Sequence, residues 1–324
     1  MRDSVKKILN RYGFDGAVLM SDNFEERSWF DADIAYPIAS VSKMFAAVVA
    51  YKVTGKYKVP LKTQANVFLN RQDFPDNITI KDLLLHTSGL NLYTDFTKHE
   101  DNSLRLRNLP KQEFYEKIIP RDPKEKKFEY NNANYIVLED VLEAITNKKF
   151  KYQDLLQEMV INPCRLNNTG IVEYTQHESE YWVTGYDVKG QKASSTHYSW
   201  LGAGAGMYSS LSDLASFAKS LMDQRLMPKD SLEYMFKDRG NNYGLGCTIK
   251  EIDGTKVIYH EGGIPGFSTM LMIEPESRKI LIMLSNKEFP KIEKVALEAF
   301  ESMLNVDKFS WRSHSGKLEM ALGK

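Results

Sequence analysis

The sequence predicts an α+β fold: an antiparallel sheet flanked by N- and C-terminal helices, with a mainly helical domain inserted into it. Three observations predict this. Toward the C-terminus, Tyr243–Ile252, Lys256–His260, Phe267–Ile273 and Lys279–Ser285 read as consecutive strands. Turn signals at Asp253-Gly254, Gly262-Gly263 and Glu274–Ser277 separate them, and strands joined by tight turns pair antiparallel. Residues 56–200 instead carry helical patterns and irregular segments. Amphipathic helical patterns lie at both ends of the globular part.

In chain order, an amphipathic N-terminal helix precedes two short strands, Asp15–Met20 and the region around Ser28–Phe30. Pro37 favours an extended residue before it, and from Ser40 the chain turns strongly apolar, predicting a buried helix that stops at Gly55. Helical patterns follow at Ile80–His86, Gln112–Ile119 and Ala133–Thr146. Lys291–Asn305 closes the domain as a helix, with Ile292, Val295, Ala296, Ala299 and Met303 near helical spacing. These readings divide the chain into a discontinuous sheet domain (1–55 with 201–308), an inserted helical domain (56–200) and a tail (309–324). A cleft between the two domains is the expected place for a small-molecule site.

Composition narrows the function. The 324 residues carry 43 basic and 43 acidic side chains, so no net field favours nucleic acid or anionic lipid. Cys164 and Cys247 form no C-x-x-C pair, and the six histidines show no metal-ligand spacing, so neither metal nor cofactor is expected. The longest apolar run, Met44–Tyr51, is far shorter than the roughly twenty residues that span a bilayer. Without a transmembrane segment or an apolar core for a secretory signal, the chain is expected to be cytoplasmic.

Ser40-Val41-Ser42-Lys43 is the most informative motif. A serine hydroxyl is a poor nucleophile at neutral pH; it needs a group to take its proton and donors to hold the developing oxyanion. Three residues apart on a helix, Ser40 and Lys43 share a face, and the helix start offers free N–H groups. The same spacing at Ser4/Lys7 and Ser216/Lys219 falls in ordinary amphipathic surface patterns. Only the Ser40 motif continues into Met44–Ala50, an apolar stretch able to bury the lysine.

Two further segments bear on it. Phe128–Leu138 places Tyr130 and Asn132 just before a helix, where Asn131 or Asn132 serves as its cap, or where the phenol joins a proton relay and the Asn132 amide binds a carbonyl or steadies Lys43. Val257–Phe267 puts His260 at a strand end before Gly262 and Gly263. Those glycines suit a bulge or turn, or else a backbone that comes close to a ligand, with Gly263 donating beside the Ser40 N–H into an oxyanion hole.

In this order and with these separations, the three motifs resemble the serine β-lactamase and penicillin-binding-protein superfamily, and most closely its class C-like branch. Ile78–Leu90, Gly206–Leu214, Tyr243–Gly246 and Leu284–Asn286 are similar to other family segments, so the resemblance runs from about Asp15 to Asn305. It implies a β-lactamase/transpeptidase-like fold, Ser40 as acyl-accepting nucleophile, Lys43 as partner base, Tyr130 as proton shuttle, and Asn132, His260, Gly262 and Gly263 in substrate binding. His260-Glu261-Gly262 stands where β-lactamases of this branch carry Lys-Thr-Gly, which removes a fixed charge suited to a substrate carboxylate and disfavours antibiotic hydrolysis. The activities implied are those of an esterase, a D-amino-acid peptidase or DD-carboxypeptidase, or a transacylase acting on a small ester, amide or D-amino-acid peptide. A sensor acylated once, or a binding protein without chemistry, is the alternative from another class.

Either Lys43 or Tyr130 can be the base. Their free pKa values are about 10.4 and 10, so one of them must be lowered. A lysine ammonium would lower the phenol, whereas burial would lower the lysine. Gly202–Gly206 lacks the context of a phosphate loop and reads as backbone packing near the cleft, and His86–Gly89 reads as a structural helix terminus. Tyr93, Phe96, Trp182, Tyr186, Tyr198 and Trp200 are candidates to line the pocket.

Overall fold

Every residue of 2–23, 25–92, 107–120, 125–172, 183–194 and 196–305 is described by the computed structural model. In chain order its strands are β1 (Ala17–Asp22), β2 (Glu25–Trp29), β3 (Tyr36–Pro37), β4 (Gly170–Ile171), β5 (Met207–Ser209), β6 (Thr248–Ile252), β7 (Thr255–Ile264), β8 (Phe267–Glu274) and β9 (Lys279–Ser285). The helices are α1 (Arg2–Tyr12), α2 (Ser42–Lys56), α3 (Asn66–Leu69), α4 (Ile80–Leu84), α5 (Lys111–Ile118), α6 (Ala133–Ile145), α7 (Tyr152–Leu156), α8 (Asn162–Cys164), α9 (Gly202–Ala205), α10 (Leu211–Met222), α11 (Lys229–Met235) and α12 (292–305).

Six strands form one antiparallel sheet in the order β2-β1-β9-β8-β7-β6, and β3-β5-β4 form a smaller one. The chain's two ends meet where β1 pairs with β9, Ala17 opposite Leu284. Both faces of the large sheet are covered, so its inner strands read as unbroken apolar runs. Leu271, Ile273, Ile280, Ile282 and Leu284 face the core shared with α2, α6 and α10. Met270, Met272, Leu281 and Met283 face the opposite way, onto Val5 and Leu9 of α1 and Val295, Ala299, Phe300 and Met303 of α12.

α2 is buried on every side from Ser42 to Ala50, which explains its lack of an amphipathic stripe. It differs from the sequence reading at both ends. Ser40 lies ahead of the helix, in a 3-10 turn over Ala39–Val41. The helix also runs through Gly55, because its Schellman closure places the left-handed residue at Lys58 (φ 55°), with Lys58 N–H on Gly55 O and Val59 N–H on Thr54 O.

Two strand readings are also corrected. Tyr243 makes only an isolated bridge to Thr248, and the strand proper begins at Thr248. Gly262-Gly263 is not a turn: β7 continues to Ile264, and the reversal falls at Pro265-Gly266, with Gly266 at φ 85°. A side chain at Gly262 would collide with Thr269 Oγ1 and the Ile38 carbonyl, so this glycine serves close approach between β7 and the turn that holds Ser40.

Candidate active site

The 3-10 turn is tied down before it reaches Ser40. Ile38 N–H donates to Met207 O at 2.9 Å, Thr269 Oγ1 donates to Ile38 O at 2.9 Å, and Ser42 Oγ donates to Ala39 O at 2.6 Å. Ala39 sits at φ 47°, an uncommon conformation for a residue with a Cβ. Immediately after it, Ser40 presents its Oγ to Lys43 Nζ at 3.1 Å.

Lys43 is completely buried, and its amine meets three oxygens: Ser40 Oγ, Asn132 Oδ1 at 2.7 Å and Gly204 O at 2.7 Å. Burial drives its pKa well below the ordinary 10.5. A neutral amine has two N–H groups and one lone pair. The amide and peptide carbonyls can only accept, so in that state they take both N–H groups and leave the lone pair toward the Ser40 hydroxyl.

Tyr130 approaches from the segment before α6. Its ring centroid lies 4.9 Å from Lys43 Nζ, and its phenol lies beside Ser40. Burial raises the phenol above its ordinary value, and the neighbouring Ser40 hydroxyl works against that rise. Tyr130 as a whole residue still exposes 41% of its surface, so solvent limits the shift, but its direction is toward a neutral phenol. His86 packs against it with ring centroids 4.4 Å apart. The His86–Gly89 segment is the expected helix terminus, with His86 at φ 57°, and it is also a wall behind Tyr130.

The neighbouring asparagines divide the two roles left open by the sequence. Asn131 Oδ1 accepts the Ala133 N–H at 3.0 Å and so caps α6, while Asn132 makes no cap bond and reaches Lys43.

His260 is buried on β7. Its Nδ1 donates to Glu261 O at 2.6 Å, which leaves Nε2 to accept from Tyr243 Oη at 3.1 Å. Burial, and after it the charge of Lys43, lowers its pKa to about 3, so it is uncharged at neutral pH. Beyond Tyr259, β7 has no β6 partner. Polar groups alternate between the two edges of a strand, and the Ile252–Thr255 and Ile264–Phe267 hairpin closures agree in turning the Gly263 N–H away from β8, toward that open edge.

Sequence reasoning missed the Gly204 carbonyl as a Lys43 partner, although it placed Gly202–Gly206 near the cleft. A main-chain acceptor carries no side-chain signature. Of the aromatic lining candidates, Trp200 is 1% exposed and belongs to the core, and Tyr186 lies on the surface. Tyr93, Phe96, Trp182 and the Tyr198 side chain lie outside the described residues, as does the 309–324 tail. Among the described residues no cluster of His, Cys, Asp or Glu offers a metal site, and no helix is long and apolar enough to cross a membrane.

A family model described as Beta-lactamase matches residues 6–300. Penicillin-binding protein 4* of Bacillus subtilis is 27% identical over 300 residues, a match that covers 83% of this chain and 64% of that protein. A D-stereospecific amidohydrolase from Streptomyces sp. has the same fold, with TM-score 0.81 at 22% identity over 92% of this chain and 98% of that one. So does the D-amino acid amidase from Ochrobactrum anthropi SV3, with TM-score 0.78 at 19% identity over 94% and 99%.

Proposed function

The chain belongs to the Beta-lactamase family, and on that premise we propose that it is a serine hydrolase that cleaves an ester or amide through an acyl-Ser40 intermediate. The observation that carries this reading is the buried Lys43 amine, held by two obligate acceptors with its third direction on Ser40 Oγ. Neutral Lys43 takes the hydroxyl proton as Ser40 Oγ bonds to the substrate carbonyl carbon. The N–H groups of Ser40 and Gly263 receive the oxyanion. As the tetrahedral adduct collapses, the leaving group takes a proton relayed from the Lys43 ammonium through Tyr130. Water then reverses these steps and frees the acid product. Asn132 and Gly262 complete the binding surface, and His260 backs it as a neutral group.

Amides and peptides of D-amino acids are the substrate class favoured by the names of two structural neighbours, a D-stereospecific amidohydrolase and a D-amino acid amidase. Hydrolysis of β-lactams as the main activity is disfavoured, because His260 is uncharged where a carboxylate-binding lysine would stand.

A fluorophosphonate probe tests the nucleophile: it should label the wild type and spare Ser40→Ala, and equal labelling of both would remove Ser40 from the mechanism. Turnover of short p-nitrophenyl esters against D-alanyl amides then ranks the substrate classes. A burst without turnover would point to transfer onto an acceptor other than water.

A further inference from the structure

α6 reaches Lys43 by two routes. At its start, Asn132 touches the amine directly. Two turns later, buried Glu139 accepts the Ala203 N–H through Oε2 at 2.9 Å, and the next residue, Gly204, places its carbonyl 2.7 Å from Lys43 Nζ. Gly202 brings this segment onto α6. Its φ is 46°, and a Cβ there would meet Ile136 Cγ1 at 2.8 Å and Glu139 Oε2 at 3.2 Å.

We propose that Glu139 is a positioning residue for Ser40 acylation: by holding the Ala203 N–H it fixes the Gly204 carbonyl that orients the Lys43 amine. This rests on the reading of Lys43 as base. Without Glu139, α9 keeps its fold but loses the bond that sets the Gly204 carbonyl. Lys43 then spends part of its time with its lone pair turned away from Ser40.

Charged and titratable groups surround the carboxyl on three elements. Lys111 of α5 attracts its anion, Asp140 and Glu143 of α6 repel it, and Tyr152 of α7 is close enough to feel it. Asp140 is engaged by Lys111 at 2.8 Å and by Tyr115 Oη at 2.9 Å, and Glu143 accepts Tyr152 N–H at 3.0 Å. Burial dominates and raises Glu139 to about 7. As pH falls through that value the carboxylate takes a proton, and its bond to Ala203 loses charge assistance. Acylation therefore falls with it and recovers as pH rises.

The test is the rate of Ser40 labelling by a fluorophosphonate across the acid and neutral range, in the wild type, Glu139→Gln and Glu139→Ala. Loss of a charge-assisted bond predicts labelling of Glu139→Ala slower by roughly tenfold to a hundredfold. Glu139→Gln keeps a neutral acceptor of the same size, so it should label faster than Glu139→Ala, at the rate the wild type shows with Glu139 protonated, and it should lose the inflection near 7. If Glu139→Ala fails to fold, Glu139→Gln decides alone, and an unchanged inflection overturns the proposal. Labelling that depends on Ser40 but is identical in all three proteins would leave the hydrolase reading standing and remove this one. Labelling that persists in Ser40→Ala would instead defeat the hydrolase reading itself.

Discussion

At the scale of single residues the proposed chemistry turns on Lys43. Burial lowers the Lys43 amine toward its basic form and raises the Tyr130 phenol toward its neutral form, so the proposal makes Lys43 the base. Acylation should then rise with pH as Lys43 loses its proton, with the inflection well below the 10.5 of a free lysine. Lys43→Ala and Tyr130→Phe should each slow acylation by roughly a hundredfold to ten-thousandfold, read as the burst rate on a p-nitrophenyl ester. Near-normal acylation in either variant would refute the relay. The residue types of this site were legible because Ser-x-x-Lys followed by an apolar stretch is a local pattern. That Asn131 caps α6 and frees Asn132 was not, since adjacent asparagines differ only in the direction they face.

Among the elements, β7 and the Ser40 turn form the decisive contact. Gly262 lets the strand lie against Ile38 and Ala39, and the Thr269 hydroxyl seals the junction by donating to Ile38 O. Gly262→Ala should destabilise the protein by about 1–3 kcal/mol, as overpacking does, and should slow acylation by displacing the oxyanion donors. Chemical denaturation and labelling rate measured together check this, and a variant with wild-type values of both would show that the junction has slack. The sequence reading put a turn here because paired glycines usually mark one. The strand continues because β8 supplies ladder partners through Ile264, a long-range condition that glycine content does not encode. The inner strands β8 and β9 were legible because burial on both faces makes them uniformly apolar, whereas β3, β4 and β5, at two or three residues each, are too short to show a period.

For the molecule as a whole, the buried ionisable groups set the response to acid. The folded-state pKa of His260 is lowered from 6.5 to about 3, so its stabilising contribution is complete above 6.5 and is lost as pH falls through about 3, by about 5 kcal/mol at most. His86 acts in the same direction. Glu139 opposes them: with its pKa raised from 4.5 to about 7, its contribution is complete below 4.5 and lost as pH rises through 7. Glu139 offsets only one of the two histidines, so stability should fall gradually from pH 6.5 to 4.5 and more steeply below 4.5, where Glu139 no longer opposes them and Asp82, held below its ordinary carboxylate value, also takes up protons. Denaturation free energies over that range should show His260→Gln to be less acid-sensitive than the wild type. Equal sensitivity would assign the acid loss to other groups.

By itself the sequence determined the α+β class, the buried helix behind Ser40, the main sheet strands and the family resemblance, since each is written in local periodicity or short motifs. The tertiary structure alone decided that Lys43 is buried among three oxygens, that a main-chain carbonyl 161 residues away helps to hold it, and that His260 is neutral. The physical reason is that a pKa and a hydrogen-bond direction depend on what surrounds a group in space, and the chain assembles those surroundings from segments that carry no mark of one another.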